Sequence, residues 1–319
     1  MLSGVKPTGR PHIGNYLGSI KQFVEMQDSG NEVFAFIANL HALTSVQNAR
    51  ELKTNTIELV KDYIACGLDP KKISLFLQSD IEVHTELSWI FSNLVTVPFM
   101  ERAHAYKDAL QNGKEANVGL FTYPILMAAD ILLYSPDLVP VGSDQKQHVE
   151  YARDIAQKFN NAFGETFKLP DVYTPKEIAT VPGIDGRKMS KSYKNHIPLF
   201  ATDEEIRKIC MSITTDSSLP EDKKNPDENN IFNIYKVVAS AEKTEAFRKR
   251  FLEGGLSYKE AKEILADEII AFVSPMRAKR DAITDDNVYE VIKEGKAKAK
   301  RVAEGKMKEV YEKTGIIKS

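Results

Sequence analysis

The stretch 183–192 holds the densest set of side chains that could bind phosphate. It carries the cations Arg187, Lys188 and Lys191 together with two serines and two glycines. Lysine ammonium groups bind phosphate as point charges, and serine hydroxyls can donate further hydrogen bonds. Because apolar residues do not recur at a regular spacing, the stretch is predicted to be a loop. A solvated basic loop is the commoner explanation of such a sequence, so its role depends on what lies beside it.

A second candidate phosphate site lies near the N-terminus. Residues 2–5 are predicted to be a short strand, and the turn residues Lys6, Pro7 and Thr8 follow it. His12 then opens a segment whose apolar residues recur at helical spacing. A helix that starts just after a strand offers free backbone N–H groups and the positive end of its dipole to a phosphate. A helix-opening histidine can also be a simple cap or a surface residue.

The order of the next elements predicts an α/β fold. Residues 32–38 and 73–77 are short apolar runs typical of buried strands, and residues 49–66 between them have helical periodicity. Alternating strands and helices predict a Rossmann-like parallel sheet with helices on its faces. Ligands bind beyond the carboxyl ends of the strands in such sheets, where His12, His41 and the loop after Leu77 are all expected.

An almost wholly apolar segment at 122–134 contains Asp130, after two further predicted helices at 83–95 and 99–110. A buried carboxylate is costly unless it accepts hydrogen bonds. Asp130 could pair with a core arginine, cap a neighbouring helix or contact a ligand, and the sequence alone leaves all three open.

A second strand-to-helix junction follows at 137–148. Its predicted strand ends in Gly142, and Asp144 stands near the start of the next helix. Glycine permits a ligand to approach the backbone closely, and Asp144 could bind the hydroxyl pair of a sugar or simply cap the helix. A further strand is predicted at 177–181, directly before the basic loop.

From residue 201 the pattern changes to nearly continuous helix. We therefore predict two domains, with the sheet in residues 1–200 and a mainly α-helical domain in residues 201–319. A row of cations at 296–301 is more typical of a solvated helix face, although it could also follow a phosphate backbone.

Composition narrows the class of protein. Of the 319 residues, 42% are hydrophobic and 28% are charged, which supports a large core. The net charge of -2 gives no overall attraction to nucleic acid. Cys66 and Cys210 lack the paired spacing of a zinc or iron–sulfur site and are too few for a disulfide framework. Without a signal-peptide pattern or an apolar run of about 18 residues, the chain is expected to be cytoplasmic and free of membrane spans.

Two motifs, in this order, connect the chain with a known family. The pattern P-x-x-x-x-H-I-G-N ends at Asn15 after the first strand, and K-M-S-K-S occupies residues 188–192. With the α/β core between them, they resemble a class I aminoacyl-tRNA synthetase. Segments 122–132 and 139–148 narrow the resemblance to the bacterial or organellar tryptophanyl-tRNA synthetase family. The alternatives are a tyrosyl-tRNA synthetase, another nucleotidyl transferase of this fold, and a catalytically silent paralogue with an RNA-binding or regulatory role.

The resemblance implies a two-step reaction. Tryptophan and ATP form tryptophanyl-adenylate and pyrophosphate, and tryptophan then passes to the 3′ end of tRNA(Trp). The resemblance also implies Mg²⁺ as the phosphate counterion and a homodimer formed by helices within residues 1–200. Residues 201–319 would bind the anticodon, and neither DNA nor a membrane would be a partner.

The same resemblance implies an ATP site. Thr8 and His12 would meet the phosphates, while Gly14 would let the adenine lie against the backbone. Lys188 and Lys191 would clamp pyrophosphate as charge develops. The implied catalytic residues are His12, Lys188, Lys191 and Ser192. The implied ATP-binding residues are Lys6, Pro7, Thr8, His12, Gly14, Asn15, Gly142, Ser143, Asp144, Val181, Lys188, Met189, Ser190, Lys191 and Ser192.

A tryptophan site is implied as well, in which Asp130 would accept the indole N–H. The implied substrate-binding residues are Gly4, His41, Tyr123, Met127, Asp130, Val139, Val141 and Gln145. Three residues depart from common patterns. Asn15 stands where the class I motif usually has a second histidine, and Lys6 and Asn39 stand where many relatives have Gln and Asp.

Overall fold

Short strands paired in parallel form the centre of the fold. The computed structural model describes residues 1–28, 30–113, 115–140, 146–173 and 181–318. Within them, β1 (Leu2–Val5), β2 (Val33–Ile37) and β3 (Ile73–Leu77) form one sheet in the order β1-β2-β3. Strands β4 (Leu138–Pro140) and β5 (Asp171–Tyr173) form a second sheet, and β4 lies against β1. The resulting order 3-2-1-4-5 is Rossmann-like, which confirms the predicted class.

Helices alternate with the first strands and then follow one another to the C-terminal end. They are α1 (Ile13–Asn15), α2 (Lys21–Gln27), α3 (Asn39–Ala42), α4 (Ala49–Ala65), α5 (Val83–Ser92), α6 (Val97–Met100), α7 (His104–Gln111), α8 (Val118–Leu132), α9 (Lys146–Phe163), α10 (Asp203–Met211), α11 (Asn230–Val238), α12 (Ala241–Glu253), α13 (Tyr258–Asp281) and α14 (Asp285–Thr314). Among the described residues, no helix combines the length and the apolar character needed to cross a membrane.

The helix predicted from His12 onward is irregular. Residues Tyr16–Ile20 form a π-helical turn between α1 and α2, in which the amide of Lys21 donates to the carbonyl of Tyr16. Such turns are rare and frequently lie near functional sites. Apolar spacing did not reveal this one, because a single wider turn barely changes which residues face the core.

Two other segments also differ from the sequence expectation. The single helix predicted at 99–110 is wrong, since Ala103 is extended (φ -63°, ψ 127°) and separates α6 from α7. Strand β5 was not predicted. Of the strand predicted at 177–181, only Val181 lies within the described residues.

Side chains of the central strand alternate between two cores. Val33, Ala35 and Ile37 of β2 contribute to a core with α2, α4 and the C-terminal helices. Phe34 and Phe36 contribute to a second core with α5, α8 and α9. Burial on both faces is typical of a parallel sheet that helices cover on both sides.

The last helix joins the two cores at the edge of the sheet. Val288 and Ile292 of α14 lie in the first core, and Ala299 lies in the second. Between them, Gly295 crosses β3 so closely that a Cβ there would stand 1.9 Å from the carbonyl oxygen of Leu75. Glycine therefore permits α14 to cover the edge strand, which would otherwise expose unpaired backbone groups.

An ion-pair network also links the C-terminal helices to the first half of the chain. The guanidinium of Arg280 in α13 binds the carboxylates of Asp62 and Glu58 in α4, and the Asp62 side chain is only 1% exposed. This network and the first core both cross residue 200. The division into domains 1–200 and 201–319 stays a prediction, and packing is continuous across it.

We expect Gly295→Ala to lower the free energy of unfolding by about 3 kcal/mol, because the new methyl group would push α14 away from β3. Urea denaturation would measure this change. Gly305→Ala in the same helix is the matched control, since a Cβ there would meet no atom within 4 Å. It should stabilise the protein by up to about 1 kcal/mol through helix propensity. Equal effects of the two substitutions would contradict the contact with β3.

Candidate active site

His12 lies beyond the carboxyl end of β1 and caps α1. Its Nδ1 accepts the amide N–H of Asn15 at 3.2 Å, and the side-chain oxygen of Asn15 accepts the amide N–H of His12 at 3.1 Å. Burial, with smaller effects of His196 and Lys191, lowers the pKa of His12 to about 4. The neutral ring therefore carries its proton on Nε2, which can donate to a ligand.

Backbone pairing brings the segment after the basic loop against the start of this helix. The amide of Ile13 donates to the carbonyl of Ile197 at 3.0 Å, and the amide of Leu199 donates to the carbonyl of Pro11 at 3.0 Å. The pairing is antiparallel. It places two sequence motifs that are far apart in the chain side by side.

The basic loop is a tight hairpin. The amide of Met189 donates to the carbonyl of Val181 at 2.9 Å, and the amide of Gly183 donates to the carbonyl of Arg187 at 2.7 Å. Gly186 at the tip has a positive φ of 81°, which glycine adopts without strain. The predicted loop is confirmed, but it is more ordered than its composition suggested.

Asn195, which the sequence analysis missed, holds this hairpin together. Its buried side chain accepts the amide of Ser190 at 2.8 Å and donates to the Lys188 carbonyl at 3.1 Å and the Asp185 carboxylate at 2.7 Å. A Cβ on Gly183 would stand 2.4 Å from the amide group of Asn195, so glycine makes room for it. The available signal was an asparagine just beyond a glycine-rich loop, which is too common to be specific.

Lys191 connects the loop to the turn after β1. Its Nζ donates to the carbonyl of Gly9 at 2.9 Å and to that of Thr8 at 3.3 Å. Lys188 and Ser192 are exposed. The structure thus brings Thr8 and Lys191 together near His12 and leaves the other two side chains in solvent.

Gly14 allows the loop and the helix start to touch. A Cβ on Gly14 would stand 3.0 Å from Nδ1 of His12 and 3.4 Å from Cβ of the buried Met189. In the preceding turn, Pro7 is buried and Lys6 is exposed.

Asp130 lies fully buried in a polar cluster within the second core. Its carboxylate contacts Nε2 of His41 at 2.7 Å and Nδ1 of His84 at 2.5 Å, while Nε2 of Gln78 lies 2.9 Å from both oxygens. Burial alone would raise the pKa of Asp130, but the charges and hydrogen bonds of the two histidines hold that pKa well below its usual range. Asp130 is therefore an ionised acceptor whose partners are histidines and a glutamine.

Gln78 and His84 were missed because neither belongs to a recognisable motif. The side-chain oxygen of Gln78 accepts the amides of Leu40 and His41 at 3.2 and 3.3 Å, which orients its amide nitrogen toward Asp130. Nδ1 of His41 is buried and has no hydrogen-bond partner among the described residues. The cluster thus offers an Asp130 oxygen shared with Gln78 and an unpaired nitrogen of His41.

Tyr123 extends this cluster toward the turn after β1. Its hydroxyl contacts Nε2 of His148 at 2.6 Å, and its ring lies edge-on to that of His41 with centroids 6.3 Å apart. Nζ of Lys6 lies 5.5 Å from the centroid of the Tyr123 ring. The Asp130 cluster and the His12 region therefore adjoin each other.

The other predicted site residues lie in different surroundings, and their roles stay predictions. Gly4 in β1 is exposed, and a Cβ there would stand 2.3 Å from the Phe36 ring. Val139 is buried and Met127 is half-buried. Five predicted residues lie outside the described part of the chain, and their roles stay predictions: Val141, Gly142, Ser143, Asp144 and Gln145.

The site combines two chemical environments. The imidazole of His12 and the ammonium of Lys191 form a donor-rich region suited to a polyphosphate. Asp130 is a buried, oriented anion suited to recognising an N–H group in apolar surroundings. In the described ranges, no group of three His, Cys, Asp or Glu side chains is placed to hold a metal ion.

The chain matches a known family over most of its length. The profile of the class I tRNA synthetases (W and Y) matches residues 1–282. The tryptophan–tRNA ligase of Fusobacterium nucleatum is 48% identical over 99% of this chain and 98% of its own length. The tryptophan–tRNA ligase of Rhodopirellula baltica is 46% identical over 95% of both chains.

Solved structures agree with these matches. Tryptophanyl-tRNA synthetase from Campylobacter jejuni, complexed with ADP and tryptophan, has a TM-score of 0.95 at 42% identity over 99% of each chain. Tryptophanyl-tRNA synthetase from Mycoplasma pneumoniae has a TM-score of 0.82 at 31% identity over 99% of this chain and 97% of its own. The chain therefore belongs to the class I tRNA synthetases and, within them, to the tryptophanyl-tRNA synthetase family.

Proposed function

We propose that this chain is a tryptophan–tRNA ligase. It activates L-tryptophan with ATP to form tryptophanyl-adenylate and pyrophosphate, and it transfers tryptophan to the 3′ end of tRNA(Trp). The observation that carries the proposal is the backbone pairing that sets the basic loop beside His12, next to the buried Asp130 cluster. Residues that follow β1, β2 and β3 contribute to the phosphate region and to the Asp130 cluster. The names of the bacterial relatives support the choice of amino acid.

The phosphate region works by positioning and charge stabilisation. The carboxylate of tryptophan is the nucleophile that attacks the α-phosphate, so the protein needs no nucleophile of its own. His12 donates from Nε2 to a phosphate oxygen, and Lys191 offsets the charge that develops on pyrophosphate. The exposed side chains of Lys188 and Ser192 are assigned to the same leaving group.

ATP enters this reaction with Mg²⁺. Mg²⁺ would be held mainly by the phosphate oxygens of ATP and by water, because it is commonly bound through substrate phosphates. Bound there, it would provide countercharge for the pyrophosphate leaving group. Gly142 and Asp144 are assigned to the ribose, as the family resemblance implies.

Asp130 selects the amino acid in this proposal. Its carboxylate shares the amide nitrogen of Gln78 between both oxygens, so the indole N–H can take one oxygen while Gln78 keeps the other. Half-buried Met127 and buried Val139 supply apolar surface for the ring. The side chain of phenylalanine has no N–H, so its binding would leave the buried carboxylate of Asp130 without this hydrogen bond. A missing hydrogen bond of this kind discriminates effectively against the wrong amino acid.

The chain should catalyse tryptophan-dependent exchange of labelled pyrophosphate into ATP and should charge tRNA(Trp). Chelation of Mg²⁺ with EDTA should abolish both activities. Tyrosine at the same concentration should support almost no exchange. Exchange with tyrosine but not tryptophan would assign the chain to the sister specificity, and no exchange with any amino acid would identify a catalytically silent paralogue.

Asp130→Asn should raise the KM for tryptophan by about 10–100-fold, because the amide is a poorer acceptor for the indole N–H. The KM for ATP should stay within about twofold, since in the described part of the chain the hydrogen bonds of Asp130 go to His41, His84 and Gln78 rather than to the phosphate region. Exchange kinetics with each substrate varied in turn would measure both values.

A tryptophan analogue with sulfur in place of the indole N–H identifies the acceptor. The wild type should prefer tryptophan strongly over this analogue. Asp130→Asn should lose that preference, because the N–H removed from the ligand and the carboxylate removed from the protein belong to the same hydrogen bond. His41→Gln is the comparison variant, since it keeps a donor near the Asp130 contact and removes Nδ1. Loss of preference only in His41→Gln would make Nδ1 of His41 the acceptor and refute the role of Asp130.

We propose a homodimer as the working form. Trp89 (72% exposed), Val97 (60%) and Val118 (76%) lie on α5, α6 and α8, and α8 packs on both α5 and α6. Large exposed apolar side chains on neighbouring helices favour an interaction surface, and tryptophan is enriched among residues that dominate interface energies.

Sedimentation at micromolar concentration should therefore give twice the monomer mass. Trp89→Ser should shift the protein toward monomer by removing apolar contact area. Tyr289→Ser on α14, where the side chain is 51% exposed, is the control and should leave the mass unchanged. A wild-type monomer at these concentrations would refute the dimer.

A further inference from the structure

His196 places a second imidazole beside His12, although it belongs to neither motif. The two ring centroids lie 5.7 Å apart and the rings are tilted by 48°. The adjacent backbone pairing, in which Ile13 donates to Ile197, sets the position of His196 relative to His12. The neighbouring imidazole is therefore part of the same hydrogen-bonded framework that brings the basic loop to the site.

One nitrogen of His196 has no hydrogen-bond partner among the described residues. Nδ1 is buried, and no described residue donates to it or accepts from it. Most buried polar atoms in folded proteins have a partner, and the exceptions often mark a site for a ligand or an ordered water. The partly buried ring of His196 therefore has a nitrogen next to the phosphate region that could form a hydrogen bond with a ligand.

The electrostatic surroundings favour an anion at this point. Burial and then the charge of Lys191 lower the pKa of His196, and both His196 and Lys191 contribute to the lowered pKa of His12. The two imidazoles are therefore neutral near pH 7, and each keeps one N–H donor. An ammonium group and two imidazole donors close to one another suit the oxygens of a polyphosphate.

We propose that His196 is a further ATP-binding residue, and that its Nδ1 hydrogen-bonds to the triphosphate alongside His12 and Lys191. The inference rests on the proposed function, because it takes ATP as the ligand of this site. It adds a residue from the segment beyond the basic loop. Since that segment is paired to residues 11–13, its donor is held in place before ATP arrives.

Three substitutions test which atom of His196 is used. His196→Ala should raise the KM for ATP in pyrophosphate exchange on the order of tenfold or more, as expected for one hydrogen bond to a charged group. His196→Asn places an amide near the position of Nδ1 and should retain most of the affinity. His196→Gln places its amide near Nε2 and should behave like His196→Ala. The KM for tryptophan should change by less than about twofold in all three.

A binding experiment separates the phosphate contact from general packing. In calorimetric titrations, His196→Ala should bind ATP and inorganic pyrophosphate more weakly than the wild type does. It should bind adenosine with the affinity of the wild type. Lys194→Asn is the control. Lys194 is exposed with a φ of 52°, which asparagine tolerates, and its loss removes a nearby charge without touching His196.

The outcomes are distinguishable. Unchanged binding of ATP and pyrophosphate by His196→Ala would overturn the inference. Equally weakened binding of ATP, adenosine and tryptophan would also overturn it, because that result indicates a packing role for His196. A wild type without exchange activity would refute the proposed function. In that case, the binding titrations would still decide whether His196 contacts a polyphosphate.

Discussion

The antiparallel contact between residues 11–13 and 197–199 is the constraint on which the candidate site depends. Two backbone hydrogen bonds there join the helix start that carries His12 to the segment that follows the basic loop. Asn195 then transmits this position to the hairpin through its bonds to residues 185–190. Phosphate donors act together only when their separations are set in advance, and this short contact sets them.

A second constraint is the buried charge of Asp130. Its partners come from three places, the ends of β2 and β3 and the helix that carries His84. A buried polar network is stabilising only when its members are satisfied, so the sheet and the neighbouring helices must keep their register. The atoms that would recognise an amino acid are therefore also atoms that the second core requires for its own stability.

Much of the architecture was predictable because it depends on local periodicity. The apolar runs at 32–38 and 73–77 became β2 and β3, and the helical pattern of residues 49–66 became α4. The π turn and the break at Ala103 were not predictable, since each changes only one turn of backbone. The close crossing of α14 over β3 at Gly295 also required the structure, because Gly18 and Gly305 also lie in helices and a Cβ on either would meet no atom within 4 Å.

The sequence by itself determined the class of fold, the family, and the two motifs from which a phosphate site could be inferred. These features depend on residue types and their spacing along the chain, so they can be recognised without knowing which distant segments are in contact. Only the tertiary structure decided that Gln78 and His84 surround Asp130, and that His196 lies beside His12. Such partners come from segments without motifs, and they meet only because strand register and backbone pairing bring distant parts of the chain together.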